Sequence, residues 1–118
     1  MAMRDPRSFL SDICDACDRT LSRIDNKILD DYRADETLRL ACERLLGIVG
    51  EAISQLRRWR PDLAAQISSV ERIIAFRNVL IHGYFKIVDD IVWEIMTREL
   101  PVLRGQAASL LATLGAEP

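Results

Sequence analysis

The spacing of apolar side chains along the chain predicts helices. Within the first thirty residues these side chains recur at steps of four and three, which places them on one face of a long helix. They are Leu10, Cys14, Cys17, Leu21, Ile24 and Ile28. A second stripe with the same spacing contains Leu38, Cys42, Leu45, Val49, Ala52 and Leu56. No strand-like alternation continues for more than a few residues, so the pattern indicates an all-α fold.

Short polar residues and proline set the boundaries of the first two predicted helices. Asp5 and Pro6 predict a helix start, with the aspartate as the cap and the proline at the first helical position. The polar segment 30–35 is expected to separate the two helices, and Asp35 to cap the second one.

Two glycines, Gly47 and Gly50, lie inside the second helix. A glycine in a helix interior costs about 1 kcal/mol relative to alanine. Close approach of a neighbouring element would compensate for that cost, so we expect tight packing at both positions.

The third predicted helix follows a proline break. Pro61 ends the second helix, and a short helical turn is expected at 62–66. Ser68 and Glu71 have the spacing of a capping box, which predicts that the third helix opens at Ser68. Gly83 is expected to close this helix, because glycine accepts the left-handed backbone found at helix ends.

A last helix is expected after a connector at 84–88. Asp89 or Asp90 is its predicted cap, and Pro101 predicts a kink within it. Its apolar face contains Val92, Ile95, Leu103, Ala107, Leu110 and Leu114. The whole pattern predicts an up-and-down bundle of four main helices plus a short helical turn, which forms a single domain over residues 1–118.

Composition agrees with one globular helical domain. The chain has 118 residues, of which 49% are hydrophobic and 29% charged, and this length allows one continuous core. No apolar run approaches the roughly 20 residues that a membrane helix needs. The N-terminus is charged and does not resemble a signal, so we expect a cytoplasmic protein with no membrane partner. Three cysteines without an export signal argue against a disulfide framework.

Charge is distributed unevenly along the chain. The net charge is −2, but residues 57–86 carry six basic and two acidic side chains, whereas both flanking regions are acidic. The basic side chains are Arg57, Arg58, Arg60, Arg72, Arg77 and Lys86. A local basic zone can attract a phosphate group, although solvated helix ends explain the same charges. Residues 57–60 could bind RNA by charge and stacking, or could complement the dipole of the second helix.

The strongest candidate for chemistry is the segment Arg77-Asn78-Val79-Leu80-Ile81-His82-Gly83-Tyr84, which has the pattern R-x4-H-x-Y. His82 can exchange protons near neutral pH, and Arg77 presents a fixed cation to phosphate. Asn78 could orient the imidazole or the substrate, and Tyr84 could donate to phosphate or stack on a base. These residue types suit RNA cleavage in which a ribose 2′-hydroxyl is the nucleophile, so no metal or cofactor is required.

Helix geometry bears on how this site is assembled. Arg77 and His82 are five residues apart, which corresponds to about 7.5 Å of rise and roughly 140° of rotation on a regular helix. The two side chains therefore diverge within one chain. A symmetric homodimer that pairs the third helix with its copy would bring two arginines and two histidines into one cleft.

Other readings of these residues stay open. A single histidine at the end of an apolar helix more often caps the helix than catalyses a reaction. The chain could be a non-catalytic module that binds nucleotide or a nucleotidyltransferase, or a scaffold dimer. Cys14 and Cys17 have a redox or zinc spacing, but core packing is the better interpretation because they lie on the apolar stripe. Glu51 is a possible supporting residue, although a glutamate in mid-helix is usually solvated.

The motif and its flanking segments resemble HepT-type HEPN ribonuclease toxins. The likeness includes the polar residue directly after Arg77. It extends to the segment Gly50-Glu51-Ala52 and, in the last helix, to Asp90-Ile91-Val92-Trp93-Glu94-Ile95 followed by Leu100-Pro101. It covers nearly the whole chain, and arginine, histidine and tyrosine are all in place.

The resemblance implies an HEPN-like helical fold and a particular biological role. Proteins of this kind are homodimeric, metal-independent endoribonucleases, and they act as the toxins of type VII toxin–antitoxin pairs. Their antitoxin is a minimal nucleotidyltransferase that is thought to silence the toxin by transferring AMP to the motif tyrosine. That residue is Tyr84 in this sequence. Added phosphates beside Arg77 would block the binding of RNA.

Overall fold

The computed structural model describes residues 4–82 and 88–115, and these ranges are helical without strands. The chain begins with α1 (Pro6–Ile24), α2 (Leu29–Ala34) and α3 (Glu36–Trp59), and continues with α4 (Pro61–Ala64) and α5 (Val70–His82). It ends with α6 (Asp89–Glu94), a π-helical turn (Ile95–Glu99) and α7 (Leu100–Leu114). The all-α prediction is confirmed.

Four main helical segments form the bundle, as predicted. α1 packs against α3 and α7, α5 packs on α3, and α2 lies against α3 and α6. Leucine and isoleucine side chains from these helices form one continuous core, in which each fully buried side chain contributes about 1.5–3 kcal/mol. Its largest buried members include Leu10, Ile13, Leu46, Ile53, Leu56, Ile73, Ile95, Met96, Leu100 and Leu103.

The predicted caps of α1 and α3 are confirmed. The Asp5 carboxylate accepts the backbone N–H of Arg7 at 2.9 Å, and Pro6 occupies the first turn of α1. The Asp35 carboxylate accepts the backbone N–H of Leu38 at 3.0 Å. Each carboxylate satisfies a donor that has no partner within its own helix.

The prediction for residues 25–35 is wrong in two respects. α1 ends at Ile24, so Ile28 does not continue its apolar stripe and is 62% exposed. Residues 30–35, expected to be a break, contain most of the short helix α2, in which Tyr32 is fully buried. The Asp31 carboxylate stabilises the start of α2 by accepting the backbone N–H of Ile28 at 2.9 Å. Burial of the Tyr32 ring against the core outweighs the polar composition of this segment.

The predicted capping box of α5 is also wrong. α5 begins at Val70, one residue later than the box requires. The Ser68 hydroxyl bonds to the side chain of Gln106 in α7, and the Glu71 carboxylate pairs with Arg57 in α3. Tertiary partners have therefore replaced the local bonds that the sequence pattern indicated.

The cap of the last helical segment differs from the predicted one, and a π-helical turn interrupts this segment. Asp89 and Asp90 do not cap α6: the cap position is Val88, which makes no side-chain bond, and both aspartates lie in the first turn. There they still oppose the positive end of the helix. A π-helical turn directly precedes α7, and the kink predicted at Pro101 itself stays a prediction. Proline lacks an N–H and crowds the carbonyl four residues earlier, which accounts for the change in helical pitch.

Candidate functional site

Helix α5 carries the first three polar residues of the R-x4-H-x-Y motif. Arg77 is half-buried, whereas Asn78 and His82 are exposed. Since α5 is helical through His82, the arginine and the histidine remain five positions apart and point in different directions. Tyr84, Gly83 and Lys86 lie outside the described residues, so the predictions made for them stay predictions.

Arg77 is held by α3 along its whole length. A Cβ atom placed on Gly50 would lie 2.5 Å from Cβ and 2.8 Å from Cγ of Arg77, so only glycine permits this crossing. At the far end of the side chain, the guanidinium forms an ion pair with the carboxylate of Glu51. The close approach expected at Gly50 is therefore confirmed, and its partner is the stem of Arg77.

Gly47 differs from Gly50. A Cβ atom placed on Gly47 would meet nothing within 4 Å. The tight packing predicted for this position is wrong, because no described neighbour of α3 approaches the backbone there.

The three guanidinium nitrogens of Arg77 differ in their hydrogen-bond partners. One terminal nitrogen, Nη2, donates to Glu51, and the other, Nη1, is 3.4 Å from the side-chain oxygen of Asn78. Nε is buried and has no hydrogen-bond partner among the described residues. Because the side chain is only 25% exposed, a phosphate group can reach Arg77 only through the two terminal nitrogens.

A line of side chains on α3 fixes the carboxylate that holds Arg77. Gln55 donates from Nε2 to Oε1 of Glu51 at 3.1 Å, and Trp59 donates from Nε1 to Oε1 of Gln55 at 3.2 Å. These three residues are four positions apart, so they lie on one face of the helix. From the sequence alone Glu51 is only a possible supporting residue, but in the structure its carboxylate contacts Arg77 directly. The signal available in the sequence was its position directly after Gly50.

Ion pairs neutralise much of the predicted basic zone. Arg57 pairs with Glu71 at 2.6 Å and Arg60 pairs with Asp62 at 2.9 Å. Arg72 is bound by Glu94 and Glu99 at 3.2 and 2.5 Å, respectively. The Arg58 guanidinium lies 5.2 Å from the centre of the Trp59 ring. Of these four arginines, only Arg58 lacks a carboxylate partner among the described residues, and their binding of RNA stays a prediction.

An exposed apolar patch lies beside the motif. It consists of Val79 in α5 and of Val88 and Ile91 at the start of α6, which are 41–49% exposed. Ile81 is 57% exposed but lies two positions from Val79 and therefore faces another side of α5. A groove of about 260 Å³ between the two helices continues the patch inward to Phe76 and Ile95. Contiguous exposed apolar surface of this kind is typical of sites where another macromolecule binds.

The cysteines belong to the core, as predicted. Cys17 and Cys42 are fully buried, and all three thiols are free. Burial raises the pKa of Cys17 to about 12 and the pKa of Cys42 to about 11. Residues 4–82 and 88–115 contain no group of three or more histidine, cysteine or acidic side chains placed to hold a metal ion. Nor does any helix within those ranges have the length and apolar character needed to cross a membrane.

Comparison with known proteins gives a consistent result. A family model described as "Ribonuclease HepT-like" matches residues 13–110. The chain is 31% identical over 109 residues to "Putative RNase TTE0752" from Caldanaerobacter subterraneus subsp. tengcongensis, which covers 92% of this chain and 96% of that protein. It is 24% identical over 111 residues to "Probable ribonuclease HepT" from Thermococcus cleftensis, covering 91% and 96% of the two chains. No solved structure matches significantly.

Proposed function

Because the chain belongs to the HepT-like ribonuclease family, we propose that it is a metal-independent endoribonuclease whose active site contains Arg77 and His82. The observation that carries this proposal is the way α3 holds Arg77. Gly50 admits the stem of the side chain, and Glu51 fixes the guanidinium. A helix surface that only needed solvated charge would not require a glycine at this crossing. Fixed cations that need no rearrangement during the reaction are what stabilise charge developing on a phosphate.

The reaction is a transesterification within the RNA, in which the phosphoryl group moves from the 5′-oxygen to the 2′-oxygen. The ribose 2′-oxygen attacks the adjacent phosphorus while the bond from phosphorus to the 5′-oxygen breaks. This produces a cyclic phosphate on one fragment and a 5′-hydroxyl on the other. The His82 imidazole accepts the proton from the 2′-hydroxyl, and a solvent water donates a proton to the leaving 5′-oxygen and is reprotonated by the imidazolium. Arg77 stabilises the charge on the non-bridging oxygens, and Asn78, beside its guanidinium, orients the substrate.

A homodimer brings Arg77 of one protomer and His82 of its partner into one site. Arg77 and His82 diverge on α5, so one chain alone presents them in different directions. The apolar patch of Val79, Val88 and Ile91 borders α5, the helix that carries the motif. Pairing this patch with the same patch on a second copy buries it and places both motifs at one two-fold axis.

We further propose that the enzyme acts as a toxin and that a nucleotidyltransferase antitoxin silences it by adding AMP to Tyr84. Tyr84 follows the end of α5 by two residues. Phosphates added there would compete with RNA for the arginine. Intact-mass measurement after co-expression with a neighbouring small nucleotidyltransferase tests this step. Added AMP masses on the wild type but not on Tyr84→Phe support it, and unmodified wild-type protein overturns it.

RNA cleavage by the purified protein tests the catalytic proposal. We expect cleavage in the presence of a chelator, with products that end in cyclic phosphate. Arg77→Ala and His82→Ala should each lower the rate by at least about 100-fold. Equal activity in all three proteins would overturn the assigned roles. Tight binding of nucleotide or of the nucleotidyltransferase, with no cleavage of any RNA, would favour the non-catalytic binding module instead.

A further inference from the structure

Another cavity includes Glu51, the residue that is paired with Arg77. It has a volume of about 230 Å³ and is bounded by α1 and α3. Its wall includes Phe9 and Ile48 as apolar members, Arg4 and Arg44 as cations, and Gly47 and Glu51 from the middle of α3. Sites for drug-sized ligands range from about 300 to 1,000 Å³, so this space suits a smaller group such as one nucleobase.

Glu51 connects this cavity to the proposed active site. Its carboxylate is bound to Arg77, and its side chain also forms part of the cavity wall. A strand of RNA whose phosphate rests on Arg77 therefore has a neighbouring nucleotide within reach of the cavity.

Gly47 is the most informative residue in the wall. A glycine in a helix interior is destabilising relative to alanine, and at Gly50 the stem of Arg77 accounts for its presence. No such contact exists at Gly47, where an added Cβ would meet nothing within 4 Å. Folding therefore does not require glycine here. Since Gly47 lines the cavity, any side chain at this position would occupy the space that a ligand could use.

The side chains around Gly47 match the parts of a nucleotide. Ile48 offers an apolar contact to a base. Phe9 is only 3% exposed and lies beneath Arg4, so the planar guanidinium of Arg4 is the surface on which a base would stack. The guanidinium of Arg4 already stacks on Phe9 at 4.6 Å and is paired with Asp12 at 3.0 Å. Arg44 is exposed and makes no ion pair among residues 4–82 and 88–115, so its charge is available to a phosphate.

We propose that this cavity binds one nucleobase of the RNA substrate, with Gly47 leaving room for the base and Arg44 contacting an adjacent phosphate. The inference rests on the proposed ribonuclease function and adds a binding subsite to it. It also assigns α1 a part in substrate recognition.

Replacement of Gly47 tests the subsite, with Gly105 as the matched control. Gly105 is also inside a helix, and a Cβ placed on it would likewise meet nothing within 4 Å. It lines a different cavity, which includes neither Glu51 nor Arg77, so a side chain added there fills space that is separate from the proposed active site. Both Gly47→Ala and Gly105→Ala should raise the melting temperature, because alanine favours the helix at positions with free space.

Only the Gly47 variants should affect RNA. We expect Gly47→Leu, which fills more of the cavity than alanine, to raise KM for a single-stranded RNA by about 5- to 100-fold. Gly105→Leu should leave KM unchanged. Arg44→Ala should weaken binding and reduce its dependence on salt, as the loss of one phosphate contact does.

The outcomes separate this inference from the proposed function. Wild-type cleavage that depends on Arg77, combined with unchanged KM in Gly47→Leu, would overturn the subsite and leave the ribonuclease intact. If Gly47→Leu fails to fold, Gly47→Ala decides by the same comparison, because its added methyl group meets no protein atom. A chain that cleaves no RNA at all would contradict the proposed function itself.

Discussion

Replacing Gly50 with alanine should damage catalysis more than it damages the fold. The new Cβ would lie 2.5 Å from Cβ of Arg77, whereas carbon atoms pack best at about 3.5–4.0 Å. The contact is therefore too short by about 1 Å. Because Cβ of Arg77 is attached directly to the backbone, rotation of the side chain cannot relieve it. α5 must move away from α3, and the guanidinium must move relative to Glu51.

The loss of stability and the fall in the cleavage rate can both be estimated. Overpacking costs about 1–3 kcal/mol, and the better helix propensity of alanine returns about 1 kcal/mol. The net loss of stability is then roughly 0–2 kcal/mol, which lowers the melting temperature by a few degrees. A misplacement of about 1 Å in a catalytic group can reduce the rate by about 100-fold.

The assay compares thermal unfolding and RNA cleavage for Gly50→Ala and Gly105→Ala. The control should gain about 1 kcal/mol of stability and retain wild-type cleavage, since nothing blocks its added methyl group. Gly50→Ala should be folded and less stable than the control, and should cleave RNA far more slowly. If Gly50→Ala matches the control in both stability and rate, close packing of Gly50 against Arg77 does not position the arginine.

Two further predictions concern single side chains. Glu51→Ala should lower kcat by about one to two orders of magnitude, because Arg77 loses the carboxylate that fixes it. KM should not rise, because the substitution also removes a negative charge near the RNA. Glu71→Ala breaks a second ion pair between α3 and α5 and should leave kcat unchanged, so an equal fall in both variants would mean that stability alone is responsible. Burial raises the pKa of Cys17 from 9.0 to about 12, so its neutral thiol favours the folded state most below pH 9, and this advantage is lost as the pH rises towards 12. The difference in unfolding free energy between the wild type and Cys17→Ala should therefore shrink from about pH 8 to about pH 10.5 in urea titrations, and a constant difference would contradict the assignment.

Features set by neighbouring residues in the sequence could be predicted. Asp5, Asp35 and Pro6 act through bonds or restrictions within one helical turn, so their roles at helix starts follow from residue type. The π-helical turn directly before α7 also has a local cause, because Pro101 lies in the first turn of that helix.

Features set by tertiary partners could not be predicted. Ser68 has the correct spacing for a capping box, but Gln106, 38 residues away, binds its hydroxyl instead. In the same way, Glu51 and Arg77 are 26 residues apart, and only the packing of α5 on α3 brings them together. Gly47 and Gly50 look equivalent in the sequence, and the structure separates them by what lies beside each one.

The residue types of the candidate site stand out in the sequence, but the contacts that position them do not. Arg77 and His82 stood out because few other reasons explain an arginine, an asparagine and a histidine at this spacing. The carboxylate that fixes the arginine, and the relay from Trp59 through Gln55 that holds this carboxylate, depend on side-chain positions in the folded chain.

Activity of a mixed dimer tests the composite active site most directly. Chains with Arg77→Ala and chains with His82→Ala are co-expressed and assayed for RNA cleavage in the presence of a chelator. If each site takes Arg77 from one protomer and His82 from its partner, mixed dimers hold one complete site, and activity should recover to about one quarter of the wild-type value. Recovery no greater than the activity of the two separate variants would contradict a site shared across the two-fold axis.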